Sequence, residues 1–180
     1  ERERYQRQML IKALGPLGQL KLKESRVLVI GAGGLGSPIL YYLTVAGIGM
    51  IGFCDDDVVE RHNLNRQILH FSSDIKKRKV TSAYEKLQAL NPHVILVQHH
   101  LRVDHHNIEA LISDYDVVVD AVDNITTRLL ISDACYLRNK PLVEGAVVGM
   151  HGTITTIIPS KGPCYRCLYP RINLDQSFET

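Results

Sequence analysis

The stretch Arg26-Val27-Leu28-Val29-Ile30-Gly31-Ala32-Gly33-Gly34-Leu35-Gly36 decides the fold class. Val27 to Ile30 is a short apolar, β-branched run, which reads as a buried strand of a parallel sheet. Gly31, Gly33 and Gly36 follow at Gly-x-Gly-x-x-Gly spacing, with Gly34 between them. Glycine permits a tight turn and a close approach of backbone to a ligand. Residues 37–46 then read as a helix with Pro38 in its first turn, where a missing N–H costs nothing. The free N–H groups at such a helix start face an anion. Residues 50–54 read as a second strand running into Asp55, about twenty residues past the loop, where an acidic residue accepts from ribose hydroxyls. This pattern serves NAD and ATP equally well.

Working outward, residues 76–90 read as a helix, with Val80, Ala83, Leu87 and Leu90 at helical spacing and Asn91-Pro92 as the stop. Strands are expected at 94–98, 116–120, 142–148 and 152–158, and helices at 107–113 and 125–139. Residues 1–23 read as polar helical segments, with Met9, Leu10, Ala13 and Leu14 able to share an apolar face. Residues 168–180 are polar with no clear element. Strands alternating with helices predict an α/β protein: a mostly parallel sheet with helices on both faces, preceded by an N-terminal helical segment.

The 180 residues suggest one domain, or one domain and a fragment of another. With 45% hydrophobic and 22% charged residues the chain is rich enough to bury a core. A net charge of +2 is too small to argue for nucleic acid or an anionic membrane as partner. Val27 to Cys54 carries no charge and is long enough to span a bilayer. Glycines interrupt it, and it divides better into strand, turn, helix and strand. The polar start shows no signal peptide, so a cytoplasmic location with no membrane contact is expected.

Four further constellations carry chemistry. Asn63-Leu64-Asn65-Arg66-Gln67 and Lys79 offer more positive charge than a dinucleotide needs. Arg66 can fork onto phosphate oxygens, and Lys79 supplies a point charge. Spacing alone favours a plainer reading for Lys79, as part of a solvated basic helix start, Lys76-Lys77-Arg78-Lys79. Asp120-Ala121-Val122-Asp123-Asn124 lies at the carboxyl end of a strand, where open α/β sheets place ligands. There Asp123 can hold Mg²⁺ beside phosphates, while Asn124 caps the next helix. Cys164-Tyr165-Arg166-Cys167 has the spacing of half a zinc site, or of a thioredoxin-like redox motif, although it follows Pro163 as though in a loop. Cys54 and Cys135 read as buried core thiols. His99, His100, His105 and His106 read as surface residues, and Tyr41 and Tyr42 as helix packing.

Together, and in order along nearly the whole chain, these motifs resemble the ThiF/MoeB/HesA family of ubiquitin-activating-type adenylyltransferases. Arg4-Tyr5-Gln6-Arg7-Gln8 resembles the family's R-Y-x-R-Q opening, and Gly31 to Gly36 its G-x-G-G-L-G. Asp55-Asp56-Asp57 and Asn63 to Gln67 resemble D-x-D followed by N-L-x-R-Q. Lys79-Val80-Thr81-Ser82-Ala83 matches K-V-x-S-A, Asp120 to Asn124 matches D-x-x-D-N, and Cys164 to Cys167 matches C-Y-R-C. His62 departs from the small hydroxyl residue of many relatives.

The resemblance implies a Rossmann-like, ATP-binding adenylating domain over residues 1–180, cut short at its C-terminus so that the later part of the family fold is absent. It implies that Gly34 sits against the nucleotide, with Gly31, Gly33 and Gly36 in the same loop, that Asp55 binds its ribose, that Asn63, Arg66 and Lys79 hold its phosphates, and that Asp57 and Gln67 also belong to the nucleotide site. Asp123 and Asn124 would close the site, with Mg²⁺ on Asp123. Arg7 would reach into a partner's site, making a homodimer, and Arg7, Arg66, Lys79 and Asp123 would carry catalysis. Cys164 and Cys167 would supply half of a structural Zn²⁺ site, the second pair lying outside the chain. The implied reaction adenylates the C-terminus of a small ubiquitin-like sulfur-carrier protein, for thiamin or molybdopterin synthesis or tRNA thiolation. The alternatives are an NAD-dependent oxidoreductase, which leaves Arg66, Lys79, Asp123 and the cysteine pair unexplained, and a non-catalytic subunit of an activating enzyme, which has no need of phosphate and metal ligands.

Overall fold

The computed structural model of the chain describes residues 1–170. Two short N-terminal helices, α1 (Gln6–Met9) and α2 (Gly15–Glu24), precede β1 (Arg26–Ile30), α3 (Gly36–Ala46) and β2 (Met50–Cys54). Then come α4 (Lys79–Leu90), β3 (Ile95–His99), α5 (Ile108–Ser113), β4 (Val117–Asp120), α6 (Ile125–Leu137), β5 (Leu142–Val148), β6 (His151–Ile157) and α7 (Tyr165–Leu168). The strands lie in the order β3-β2-β1-β4-β5-β6. All neighbours are parallel except β5 and β6. This is the doubly wound α/β arrangement, and it places a crevice between β1 and β4, where the chain reverses its direction of travel across the sheet.

The apolar run of β1 is buried on both sides. Leu28 and Ile30 enter one core with residues of α5, α6 and α7. Val27 and Val29 enter another with residues of α3 and α4. The alternation follows from the two-residue period of a strand, and it confirms helices on both faces.

The N-terminal segment is held differently from expectation. Leu10 is exposed, and so is Ala13. The anchors are polar or aromatic. Tyr5 is buried and its hydroxyl accepts from Asn91 Nδ2 at 2.8 Å. Gln8 and Gln19 donate to the carbonyl of Ala46 at 2.9 and 3.1 Å, satisfying a carbonyl that the end of α3 leaves open. Tyr42 is also exposed, so only Tyr41 packs.

The helix expected from residue 76 begins at Lys79. Lys76 has φ +73°, and Arg78 is extended, so the basic run is a turn leading into the helix rather than its first turn. The cysteine pair lies at the start of a one-turn helix, not in a loop: Cys164 is the residue before α7, and Cys167 lies inside it. Cys54 and Cys135 are buried and unpaired, as expected.

Candidate functional site

The loop after β1 turns under tight constraint. Gly31 has φ +100°, and a Cβ there would lie 2.6 Å from the carbonyl oxygen of Ala121. A Cβ on Gly36 would lie 1.9 Å from the Gly31 carbonyl oxygen. These two glycines are required by the fold itself. Gly33 and Gly34 are not: a Cβ at either would meet only the Gln67 amide at 3.5 Å or the Arg66 stem at 3.7 Å. Their bareness leaves an open cradle of backbone facing the crevice, which is where a phosphate approaches a glycine loop.

Two side chains close over that cradle. The turn at residues 61–63 is held by Asn63, a buried residue whose Oδ1 accepts from the Glu60 N–H at 3.0 Å. It delivers Arg66 above Gly34, with the guanidinium donating to the His62 carbonyl at 3.1 Å and to Asn65 Oδ1 at 3.2 Å. Gln67 is buried beside Gly33, and its Oε1 has no hydrogen-bond partner among the described residues. A buried acceptor without a partner fits a ligand or a bound water.

The acidic end of β2 meets Lys79. Asp55 accepts from the Ala32 N–H at 2.8 Å and from the Asp57 N–H at 3.0 Å, which fixes it against the loop. Lys79 is 6% exposed, so the solvated reading fails. Its Nζ donates to Asp57 Oδ2 at 2.7 Å and lies 3.8 Å from Asp55 Oδ1. The Asp57 side chain is largely exposed. The site therefore rests with its buried ammonium on an exposed carboxylate, a partner that an incoming anion can displace.

On the other side of the crevice, Asp120 ends β4 opposite Ile30. Residues 121 and 122 run directly against Gly31. Asp123 is exposed and stands clear of the ion pairs around it among the described residues. Asn124 caps α6 through Oδ1, which accepts from the Thr127 N–H at 2.9 Å. An exposed carboxylate beside a phosphate cradle suits Mg²⁺, which takes one or two carboxylates with phosphates and water.

Several residues at the site were not singled out from sequence. His70 is buried; its Nε2 lies 3.0 Å from the Ala32 carbonyl and its Nδ1 2.8 Å from Ser82 Oγ. Burial depresses its pKa, so it stays neutral. Arg128 of α6 is buried between Asp120 and Glu144, pairing with Glu144 and lying 3.5 Å from Asp120 Oδ2. Burial raises Asp120 to about 6 and raises Glu144 as well, against the pull of the Arg128 charge. A lone carboxylate in the apolar run of β5 was the available signal, because a buried charge needs a partner.

Arg7 is not brought to this site. It lies on α1, which packs against the far end of α3 through Gln8 and Ala46. The 11 residues of α3 put roughly 16 Å between that end and the glycine loop. The cysteine thiols stand 3.5 Å apart. Two sulfurs on one tetrahedral zinc, each about 2.3 Å from the metal, would stand about 3.8 Å apart, so the pair fits half of such a site. The Cys167 N–H lowers the pKa of Cys164, which favours the thiolate a metal needs. His99 is half-buried and hydrogen-bonds the Tyr115 hydroxyl at 2.8 Å, whereas His100, His105 and His106 are exposed as expected. No helix among the described residues is long and apolar enough to cross a membrane.

Comparison with known proteins gives a concordant set of matches. The model of the ThiF family matches residues 5–180. The adenylyltransferase and sulfurtransferase MOCS3 of Anopheles gambiae is 49% identical over 167 residues, covering 93% of this chain and 38% of that protein. The SAMP-activating enzyme E1 of Haloferax volcanii is 46% identical over 168 residues, covering 93% of this chain and 62% of that protein. Among solved structures, E. coli MccB with ATP superposes with a TM-score of 0.84 at 26% identity, over 91% of this chain and 50% of that one. The chain thus spans less than two thirds of the length of each of these relatives.

Proposed function

The chain belongs to the ThiF family, and from that premise we propose that it is the ATP-binding part of an enzyme that adenylates the C-terminal carboxylate of a small ubiquitin-like sulfur-carrier protein. The observation that carries the reading is the pair of cations at one bare glycine loop. Arg66 crosses Gly34, and Lys79 sits buried beside Asp55, whose carboxylate is bonded to the loop. A pyrophosphate is served by a helix N-terminus alone, whereas a triphosphate calls for additional fixed positive charge.

In the proposed reaction a carboxylate oxygen of the carrier attacks the α-phosphorus of ATP. A carbon–oxygen–phosphorus link forms, the bond to the β-phosphate oxygen breaks, and pyrophosphate leaves. No protein nucleophile is required. Gly33 and Gly34 admit the phosphates, Arg66 and Lys79 neutralise charge on the leaving pyrophosphate, Asp55 accepts from the ribose, and Asn63 and Gln67 keep the phosphate side ordered. Asp57 holds Lys79 until nucleotide arrives. Asp123, backed by Asn124, would hold Mg²⁺, which supplies charge neutralisation at the phosphates. Catalysis is then positioning and electrostatics.

The relatives support the carrier as substrate, one being a SAMP-activating enzyme and another an adenylyltransferase and sulfurtransferase. Thiamin synthesis, molybdopterin synthesis and tRNA thiolation remain the candidate pathways. The displacement of Arg7 from its own site supports its use in a second protomer, hence a homodimer. The cysteine pair supports structural Zn²⁺ completed from elsewhere in the full-length protein.

Calorimetric titration of the full-length protein with ATP and Mg²⁺, and separately with NAD, tests the reading. ATP binding without NAD binding is expected, followed by carrier-dependent exchange of labelled pyrophosphate into ATP. Binding of NAD with indifference to ATP would overturn it.

A further inference from the structure

Asp123 lies between two fixed points. After it, Asn124 is locked as the cap of α6. Before it, the Val122 backbone is held from both sides: its N–H donates to Asp120 Oδ1 at 3.0 Å, and its carbonyl accepts from Arg128 Nη2 at 2.6 Å. Arg128 also donates to the Gly145 carbonyl at 3.0 Å and pairs with Glu144, so the clamp is tied to β5. The backbone on each side of Asp123 is pinned while the Asp123 side chain itself is exposed.

Packing does not explain this network. β4 and β5 are already joined by their own ladder. Two buried carboxylates around one guanidinium are costly, and Asp120 Oδ2 and Glu144 Oε2 are buried without hydrogen-bond partners among the described residues. Well-packed apolar residues often replace such a cluster with no loss of stability. What apolar residues could not do is grip the backbone of one residue by its N–H and its carbonyl together.

We propose that Asp120 and Arg128 are positioning residues for Asp123, clamping the Val122 backbone so that the Asp123 carboxylate stands where a nucleotide-bound divalent cation needs it. The inference rests on the reading of Asp123 as the Mg²⁺ ligand. Neither residue touches the cation. Asp120 is fully buried and Arg128 nearly so. They act as outer partners that orient a ligand, and loss of such a partner typically costs about 10- to 100-fold in metal affinity.

The test is ATP binding by the full-length protein, measured by calorimetry across a Mg²⁺ series. Asp120→Ala leaves Arg128 paired with Glu144, one cation with one carboxylate. It is expected to raise the half-saturating Mg²⁺ by about tenfold or more, with the Mg²⁺-free affinity for ATP within about twofold of wild type. Asp120→Asn retains an oxygen for the Val122 N–H and is expected to recover most of the Mg²⁺ response. Should Asp120→Ala fail to fold, Arg128→Lys serves instead, since it keeps the cation but cannot span both carbonyls. A folded clamp variant with an unchanged Mg²⁺ midpoint overturns the proposal, whatever its melting temperature. Asp123→Ala separates the two levels. If it too leaves the Mg²⁺ midpoint unchanged, the reading of Asp123 falls first; if it shifts the midpoint and the clamp variants do not, only the clamp falls.

Discussion

A lysine that is 6% exposed must have its charge met, and Lys79 meets it with Asp57 and Asp55. Asp57 is largely solvated, so that pairing adds little stability. A triphosphate in its place would form charge-assisted bonds worth about 1.5–3 kcal/mol. Lys79→Ala should therefore weaken ATP binding by about tenfold or more while moving the melting temperature only a few degrees; undiminished binding would remove Lys79 from the site. The glycines give a second contrast. Gly34→Ala adds a methyl where the fold has room, so a folded protein with weakened ATP binding is expected. Gly36→Ala puts a carbon 1.9 Å from a carbonyl oxygen, so loss of soluble, cooperatively melting protein is expected. Thermal melts beside ATP titrations distinguish the two. The glycine spacing made the loop legible in the sequence, but not which glycines the turn requires and which have room for a side chain. That division depends on where residues 121, 66 and 67 come to lie. Spacing misplaces Lys79 for a similar reason: a run of basic residues looks solvated until the left-handed turn at Lys76 carries the fourth of them inward.

At the scale of elements, both loops that line the crevice are gripped alike. Ala32 donates to Asp55 at the end of β2, and its carbonyl faces His70; Val122 donates to Asp120 at the end of β4 and accepts from Arg128. Strands and helices were legible because hydrophobic period and proline or glycine stops are local signals. The grips were not, because each joins residues distant in sequence, such as Ala32 with His70. Their protonation gives a pH signature. Asp120 is raised from an ordinary 3.8 to about 6, so its contribution to stability is fully present below about pH 3.8 and is lost as pH rises through about 6. His70 is depressed, so its penalty appears as pH falls through its ordinary value near 6.5. Asp120→Asn removes the first effect and keeps the second. Its stability relative to wild type should therefore improve as pH rises from 4 to 7, by up to about 2–3 kcal/mol. Denaturant melts of both proteins at several pH values check the sign; a difference that does not vary with pH would mean that Asp120 does not titrate there.

Across the whole molecule, the crevice between β1 and β4 and the cysteine pair sit at different stations along α6. Asn124 begins that helix at the crevice. Asp133, nine residues on and roughly 13 Å away, receives the forked Arg166 guanidinium at 2.7 and 2.9 Å and so holds α7. Tyr165 sinks the same turn into the core shared by Leu142 and Ile157. The pair is therefore attached to the domain through packing and one exposed ion pair, with no direct bond to a residue of the crevice among those described. A zinc completed there by ligands from elsewhere would join this domain to the rest of the full-length protein rather than serve the nucleotide. Cys167→Ser in the full-length protein should thus abolish zinc, measured by metal analysis, and lower the melting temperature, while ATP affinity stays within about twofold of wild type. Full zinc content in that variant would remove Cys167 from the ligand set. A collapse of ATP affinity along with the zinc would mean that α6 couples its two stations.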